Sequence, residues 1–176
     1  MVPLAITVRP ERSADIAAIR SLHDAAFGQP DEGLIVAGVR GSADSIDGGS
    51  LVALDGSDSV IGHLLLSLGA LMVADGSQRS IWMAGPFSVR PDLQGRGVGA
   101  RLMRAAIELA RRRGQPLICL LGHASYYPRF GFEPARSLGI EPPVAWPDEA
   151  WQALRLPAWT PDLRGTARYA AAFGID

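Results

Sequence analysis

The sequence predicts a single α/β (α+β) domain, a mixed and mostly antiparallel sheet flanked by helices. Three observations predict it. Apolar segments between residues 50 and 73 are separated by Asp55-Gly56-Ser57-Asp58 and followed by Asp75-Gly76, the turn chemistry of hairpins. From Val98 to Arg113 the apolar residues Val98, Leu102, Ala105 and Leu109 recur at helical spacing. Leu117 to Leu121 is a continuous apolar run, as a central strand covered on both faces requires. With 176 residues the chain has the length for one such domain, residues 1–176, with its own core, and no internal repeat divides it.

The elements follow in order. Ile6-Thr7-Val8-Arg9-Pro10 reads as a first strand ended by proline. Ser13 is placed to cap a helix through Phe27 that carries Ile16, Ile19 and Leu22/His23 on one face. Asp31 to Arg40, with Leu34, Ile35 and Val39, reads as a second short helix. Gly41 to Gly49, made of Ser, Asp and Gly, reads as a mobile loop. Strands are expected over Ser50–Leu54, Val60–Ser67 and Leu68–Val73, and another ends at Val89. Tyr126 to Phe130 reads as a short helical turn, and Phe132 begins a further strand. The proline-rich stretch Glu141-Pro142-Pro143 to Pro147 is an irregular excursion in which Trp146 and Trp151 suit a pocket wall.

Composition removes several classes of function. The 17 basic and 18 acidic residues give a net charge of −1, so no broad field draws the chain to nucleic acid or anionic membrane. No apolar stretch is long enough to span a bilayer, and Met1-Val2-Pro3-Leu4 is too short for a secretory signal, which points to the cytoplasm. Cys119, alone of its kind and inside an apolar run, reads as a buried core thiol with no access to act as a nucleophile. His23, His63 and His123 are too scattered to mark a metal site, and His63 reads as a satisfied histidine of the core or sheet face.

The most informative stretch is Val89-Arg90-Pro91-Asp92-Leu93-Gln94-Gly95-Arg96-Gly97-Val98-Gly99. Three glycines at alternate positions stand between a strand and a helix. A glycine-rich turn opening a helix presents backbone N–H groups and the positive end of the helix dipole, which together attract an anion such as pyrophosphate. A P-loop needs a lysine after its second glycine, and all 17 basic residues here are arginines. A dinucleotide fold wants G-x-G-x-x-G and an acidic residue closing the next strand, where this chain has Gly122-His123. A bare structural turn is the remaining alternative. For Arg96, inside the loop, a phosphate contact is the natural role, whereas Arg111-Arg112-Arg113 read as a solvated helix face.

Gln94, Gly97 and Gly99, written Gln-x-x-Gly-x-Gly after Val-x-Pro, resemble the acetyl-CoA pyrophosphate loop of the GNAT superfamily of N-acetyltransferases. Downstream, Gly122-His123-Ala124-Ser125-Tyr126-Tyr127-Pro128-Arg129-Phe130-Gly131-Phe132 resembles the Tyr-x-x-x-Gly-Phe segment of the same superfamily. The doubled tyrosine and the closing segment from Leu163 to Phe173 are similar to a bacterial subgroup of small predicted N-acetyltransferases. The likeness is strong from about Ile81 to Pro134 and weak outside.

The resemblance implies the GNAT fold with splayed central strands, and acetyl-CoA as co-substrate with no metal. It implies that backbone groups of Phe87, Ser88 and Val89 pair with pantetheine. Gln94, Gly95, Arg96, Gly97, Val98 and Gly99 hold the pyrophosphate, Gly97 and Gly99 letting the backbone approach the oxygens. Tyr127 falls at the acid position that protonates the leaving thiolate, with an aromatic core residue as the alternative. Tyr126 lines the acceptor pocket or simply packs. Many relatives place a glutamate on the strand before the loop, but Ile81 to Val89 contains no acid. His123, water or a residue of the early helices is left to take the proton from the amine. The expected activity is acetyl transfer to a primary amine of a small molecule or peptide, by an enzyme for which a homodimer is open. The rival is a non-catalytic acyl-CoA sensor.

Overall fold

The computed structural model describes residues 4–175, so Met1-Val2-Pro3 of the signal-peptide argument lies outside the described residues. Chain order is β1 (Thr7–Pro10), α1 (Ile16–Phe27), α2 (Asp31–Arg40), β2 (Ser45–Leu54), β3 (Val60–Met72), β4 (Gln78–Val89), α3 (Val98–Arg112), β5 (Leu117–Leu121), β6 (Glu133–Pro134), β7 (Ile140–Glu141), β8 (Trp151–Arg155) and β9 (Gly165–Arg168). The nine strands form one mixed sheet in the order β1-β2-β3-β4-β5-β8-β6, and β9 pairs with both β3 and β7. Pairing is parallel at β4–β5 and β7–β9 and antiparallel at β1–β2, β3–β9, β5–β8 and β6–β8. The expected class, mixed and mostly antiparallel with flanking helices, is what forms.

Contacts group the chain into two compact units, Met1–Leu66 with Pro86–Ala106, and Ser67–Gly85 with Ile107–Asp176. In the first, β1 lies antiparallel to β2 from Thr7↔Leu54 to Pro10↔Leu51. Helix α1 buries Ile19, Leu22 and His23, and α2 buries Gly33, Val36 and Val39. Each fully buried aliphatic side chain there contributes about 1.5–3 kcal/mol relative to exposure. Two expected core residues are on the outside instead, Ile16 at 40% and Leu34 at 52% exposure. Periodicity gives a stripe of apolar residues, but which edge of a wide stripe meets the sheet is set by packing. Ser13 does not cap α1 either. It opens a 3-10 turn, Ser13–Asp15, and α1 starts after Asp15. Arg9 clasps Asp15 at 2.6 and 3.0 Å, and the Arg12 N–H donates to the same carboxylate at 2.7 Å.

The loop expected over Gly41–Gly49 is shorter, because Ser45 already belongs to β2. Its Ser, Asp and Gly residues lack strand propensity, yet β2 runs on from them into Ser50, whose carbonyl accepts from the Glu11 N–H at 2.8 Å. The two strands expected over 60–73 are one strand, β3. The chain reverses only at Val73–Ser77, where the Val73 N–H donates to Ser77 and the Gly76 N–H to Val73, both at 2.9 Å.

In the second unit, β5 is central, with β4 parallel on one side at Trp82↔Ile118 and Met83↔Cys119 and β8 antiparallel on the other. The registered pairs with β4 stop at Met83, and three residues later comes Pro86, which has no N–H to give. The core gathers Leu71, Ile81, Met83, Leu117, Cys119, Leu138, Ile140 and Trp151 with Ala153 and Ala167. Trp151 opens β8 fully buried and donates its indole N–H to the Ile140 carbonyl at 2.9 Å, so it is core and not a pocket wall. Strands β8 and β9 were invisible in the sequence, being short and formed by long-range partners.

On α3 the buried residues are Val98, Leu102, Met103, Ala106, Ile107 and Ala110. Ala105 and Leu109, expected inward, are only half-buried.

Candidate functional site

The glycine loop lies in the first unit. Strand β4 ends at Val89, a 3-10 turn covers Pro91–Leu93, and α3 starts at Val98. The turn is closed by the Leu93 N–H to Arg90 at 2.9 Å, the Gln94 N–H to Pro91 at 3.4 Å and the Arg96 N–H to Leu93 at 3.3 Å. The Gln94 side-chain amide donates to the Val89 carbonyl at 3.3 Å and ties the loop to the strand that leads into it. Gly95 and Gly97 have φ of 74° and 88°, the left-handed region where a side chain is strained, and a Cβ on either would meet nothing within 4 Å. Gly99 is already the second residue of α3, so its N–H is one of the first of the helix.

Gln94, Gly95, Arg96 and Gly97 are exposed, while Val98 is buried and anchors the helix start. The first N–H groups of a helix have no intrahelical acceptor, and here they follow a bare glycine backbone open to solvent. That arrangement suits an anion on geometry and on dipole sign. Arg96 sits within it. Arg90 is engaged by Asp92 at 2.8 Å. Along β4, Ser88 is buried between half-buried Phe87 and Val89.

The tyrosine turn lies in the second unit. After β5, the Gln152 amide donates to the carbonyls of Gly122 and His123, each at 3.4 Å, and the Tyr126 N–H donates to His123 at 3.1 Å. A 3-10 turn, Tyr127–Phe130, follows. The Tyr127 ring lies so close over Gly122 that a Cβ there would collide with Cε2 and come within 3.0 and 3.1 Å of Cζ and Cδ2. Edge contacts to Tyr126 and Phe132, at 5.1 and 5.7 Å between centroids, fix the ring further. Burial, and then the neighbouring Tyr126, push the Tyr127 phenol up to about 12, so it keeps its proton at neutral pH.

Tyr126 packs on Phe130 at 5.5 Å with the Arg129 guanidinium 4.6 Å over its face. His123 is exposed. Cys119 is buried and its thiol is pushed up to about 12 by burial, the inert core thiol expected. No group of three or more His, Cys, Asp or Glu suited to a metal occurs among the described residues.

One cluster was not legible in the sequence. His23 of α1 and His63 of β3, 40 residues apart, meet at 2.8 Å from Nε2 to Nδ1, both fully buried in the first unit. His63 Nε2 reaches the Ser50 hydroxyl at 2.8 Å. Ser50 bonds Glu11 through its hydroxyl, and Arg40 clasps Glu11 at 2.5 and 3.1 Å. Ser88 of β4 lies 3.5 Å from His23 Nε2. The only sequence hint was His23 on an inward helix face and His63 in an apolar strand.

Burial lowers His23 to about 4, with Asp24 pulling weakly the other way, and lowers His63 well below its ordinary value, aided by His23 and Arg40. Both rings are therefore neutral when folded, while the unfolded chain binds protons at ordinary histidine values. Stability rises with pH wherever the unfolded state holds more protons, so it is lost as pH falls from 6.5 to about 4. The His23 shift alone makes this on the order of 3 kcal/mol. Thermal melts across that window are expected to show a steep fall, and a flatter one in a His23→Gln, His63→Gln double variant. Equal slopes would show that the rings are not held neutral.

Comparison with known proteins gives the family. The model of the acetyltransferase (GNAT) domain matches residues 7–135, a span that holds both the glycine loop and the tyrosine turn. A protein of Escherichia coli (strain K12) described as the uncharacterized N-acetyltransferase YjhQ is 35% identical over 161 residues, 89% of this chain and 88% of that protein. A GNAT family acetyltransferase from Brucella melitensis, solved with acetyl-CoA, is 31% identical with a TM-score of 0.78, over 96% of this chain and 98% of that one. The GNAT family N-acetyltransferase YhbS from Escherichia coli, solved with CoA, shares the fold at a TM-score of 0.83 and 24% identity, over 99% of this chain and 93% of that one. With the domain model spanning well over half of its length, this chain belongs to the GNAT superfamily of N-acetyltransferases.

Proposed function

We propose that this protein moves an acetyl group from acetyl-CoA to a primary amine of a small molecule or peptide, by direct attack of the amine on the thioester. Family membership supports acetyl-CoA-dependent transfer, and the Brucella melitensis structure, at 31% identity, contains the same donor. The observation that carries the reading onto this chain's own residues is the exposed glycine backbone opening α3, where a Cβ on Gly95 or Gly97 meets no atom within 4 Å. A pyrophosphate needs that free backbone and the positive end of a helix.

In this reading Gln94 to Gly99 hold the pyrophosphate, Arg96 adds charge, and the backbone of Phe87, Ser88 and Val89 aligns pantetheine. When bound, acetyl-CoA supplies an activated carbonyl with a thiolate as leaving group. Tyr127, half-buried and protonated at neutral pH, gives its proton to that thiolate. Tyr126 acts as a wall of the acceptor site or as packing for the turn, and exposed His123 is one candidate to receive the amine proton. No described helix is long and apolar enough to cross a membrane, in keeping with a cytoplasmic enzyme.

Thiol release from acetyl-CoA with a panel of amines tests this. Turnover with at least one amine is expected. Tight donor binding with no release on any amine would instead favour an acyl-CoA sensor, a reading that the absence of a carboxylate from Ile81 to Val89 keeps in view.

A further inference from the structure

The end of β5 is held by a side chain as well as by its neighbouring strands. The Leu156 N–H donates to the Pro116 carbonyl and the Gly122 N–H to the Ala150 carbonyl, both at 2.9 Å. Hydrogen-bonded positions alternate in an antiparallel pair, so the N–H groups of Leu117, Cys119 and Leu121 point away from β8 and toward β4. The parallel register with β4 ends at Met83↔Cys119. Continued to Leu121 it would set Gly85 opposite, and that pair does not form. The Leu121 N–H donates to the Tyr169 hydroxyl instead. A backbone N–H without a strand partner needs another acceptor, and the phenol supplies it.

Tyr169 follows β9, and its ring is packed by Trp146, Trp151 and Phe173, at 5.9, 6.2 and 4.8 Å between centroids. Burial, and then Cys119, raise its phenol above the ordinary tyrosine value against the pull of the Leu121 N–H, so it keeps its own proton at neutral pH. Leu121 in turn precedes Gly122, the residue that lies against the Tyr127 ring. Ala150 and Gln152 hold Gly122 from the β8 side, and Tyr169 holds the residue before it from the other. All these groups lie in the second unit, and Tyr169 lies beyond residues 7–135, the span that the family model matches.

We propose that Tyr169 is a positioning residue of the acetyl transfer, its hydroxyl holding the end of β5 so that Gly122 sets the Tyr127 phenol for proton transfer. The inference rests on the reading of Tyr127 as the acid. In that step the Tyr127 O–H bond breaks, the proton passes to the thiolate sulfur, and the electron pair stays on the phenolate oxygen. Water takes the proton that the amine loses and returns one to Tyr127. Tyr169 keeps its proton throughout and acts only through Leu121 and Gly122. A ring held loosely loses rate without losing donor affinity, since a misplacement of about 1 Å can cost 10²-fold.

The test is a double-mutant cycle on kcat with Tyr169→Phe, Tyr127→Phe and the two combined, using an amine the wild type acetylates. Tyr169→Phe keeps the ring among Trp146, Trp151 and Phe173 and removes only the oxygen that the Leu121 N–H meets. It is expected to lower kcat by about 10- to 10²-fold and to leave the KM for acetyl-CoA unchanged. With Tyr127 already replaced by Phe, the same substitution should change kcat by less than about twofold, because no phenol is left to position. Amide exchange followed by NMR should find the Leu121 N–H protected in the wild type and faster in Tyr169→Phe. The wild-type measurement needs no variant, so it tests the contact even where Tyr169→Phe fails to fold.

Equal losses in both backgrounds would make Tyr169 a general support of the fold and overturn the proposal. Full kcat in Tyr169→Phe, or rapid exchange of the wild-type Leu121 amide, overturns it as well. Each of these leaves the transferase standing. Undiminished turnover in Tyr127→Phe removes the acid reading and this inference with it, and a wild type that binds acetyl-CoA but acetylates no amine removes the transferase reading itself.

Discussion

Gly97→Glu is expected to abolish acetyl-CoA binding in a protein that still folds. Two effects act together. Gly97 has φ of 88°, where a residue with a Cβ is strained by about 1–2 kcal/mol. The added Cβ meets nothing within 4 Å, so the chain itself tolerates the side chain. The carboxylate then lies at the opening of α3, where the helix dipole welcomes a negative charge, and it takes the place and the sign of the pyrophosphate. Gly97→Ala carries the strain without the charge and should weaken binding far less. Calorimetry with acetyl-CoA reads both. Unchanged affinity in folded Gly97→Glu would put the donor elsewhere and remove the basis of the functional reading.

Tyr127→Phe is expected to lower turnover by roughly 10²-fold or more while donor affinity barely moves, because ring packing survives and only the proton donor is lost. Tyr126→Phe, if it acts at all, should act on the KM for the acceptor. The structure adds a sharper variant. Gly122→Ala keeps the phenol but puts a methyl group into the Tyr127 ring, close to Cε2 and within 3.0 Å of Cζ, so the ring must move. Its turnover should fall with that of Tyr127→Phe, and the double variant should lose little more than either alone, since both remove one function. Small and equal losses in Tyr126→Phe and Tyr127→Phe would mean that solvent protonates the thiolate.

Much of this protein could be read without coordinates, and the reasons are local. The Gly95-to-Gly97 turn and the helix after it were legible because φ preference, dipole direction and helical spacing all act within a few residues. The Leu117–Leu121 strand was legible because a strand covered on both faces has no polar side to hide. Helix α2 was bounded correctly at Asp31–Arg40, but its buried face was not, since Leu34 lies outward and Gly33 inward.

What only the tertiary structure decided depends on partners far away in sequence. Strand β2 claims Ser45–Gly49 despite its loop-like composition, and β8 and β9 exist because β5, β6, β3 and β7 supply their hydrogen bonds. Gly122 looked like a turn residue, and folding shows it as the floor beneath the Tyr127 ring. His23 and His63 looked like separate core histidines, yet they share one buried hydrogen bond and, through Ser50, reach Glu11 and Arg40. The family, the glycine loop before α3 and the position of the tyrosine turn were readable from the residues alone, because short-range chemistry writes itself into spacing. The buried His23–His63 contact needed the fold, because a hydrogen bond between residues 40 positions apart leaves no periodicity to read.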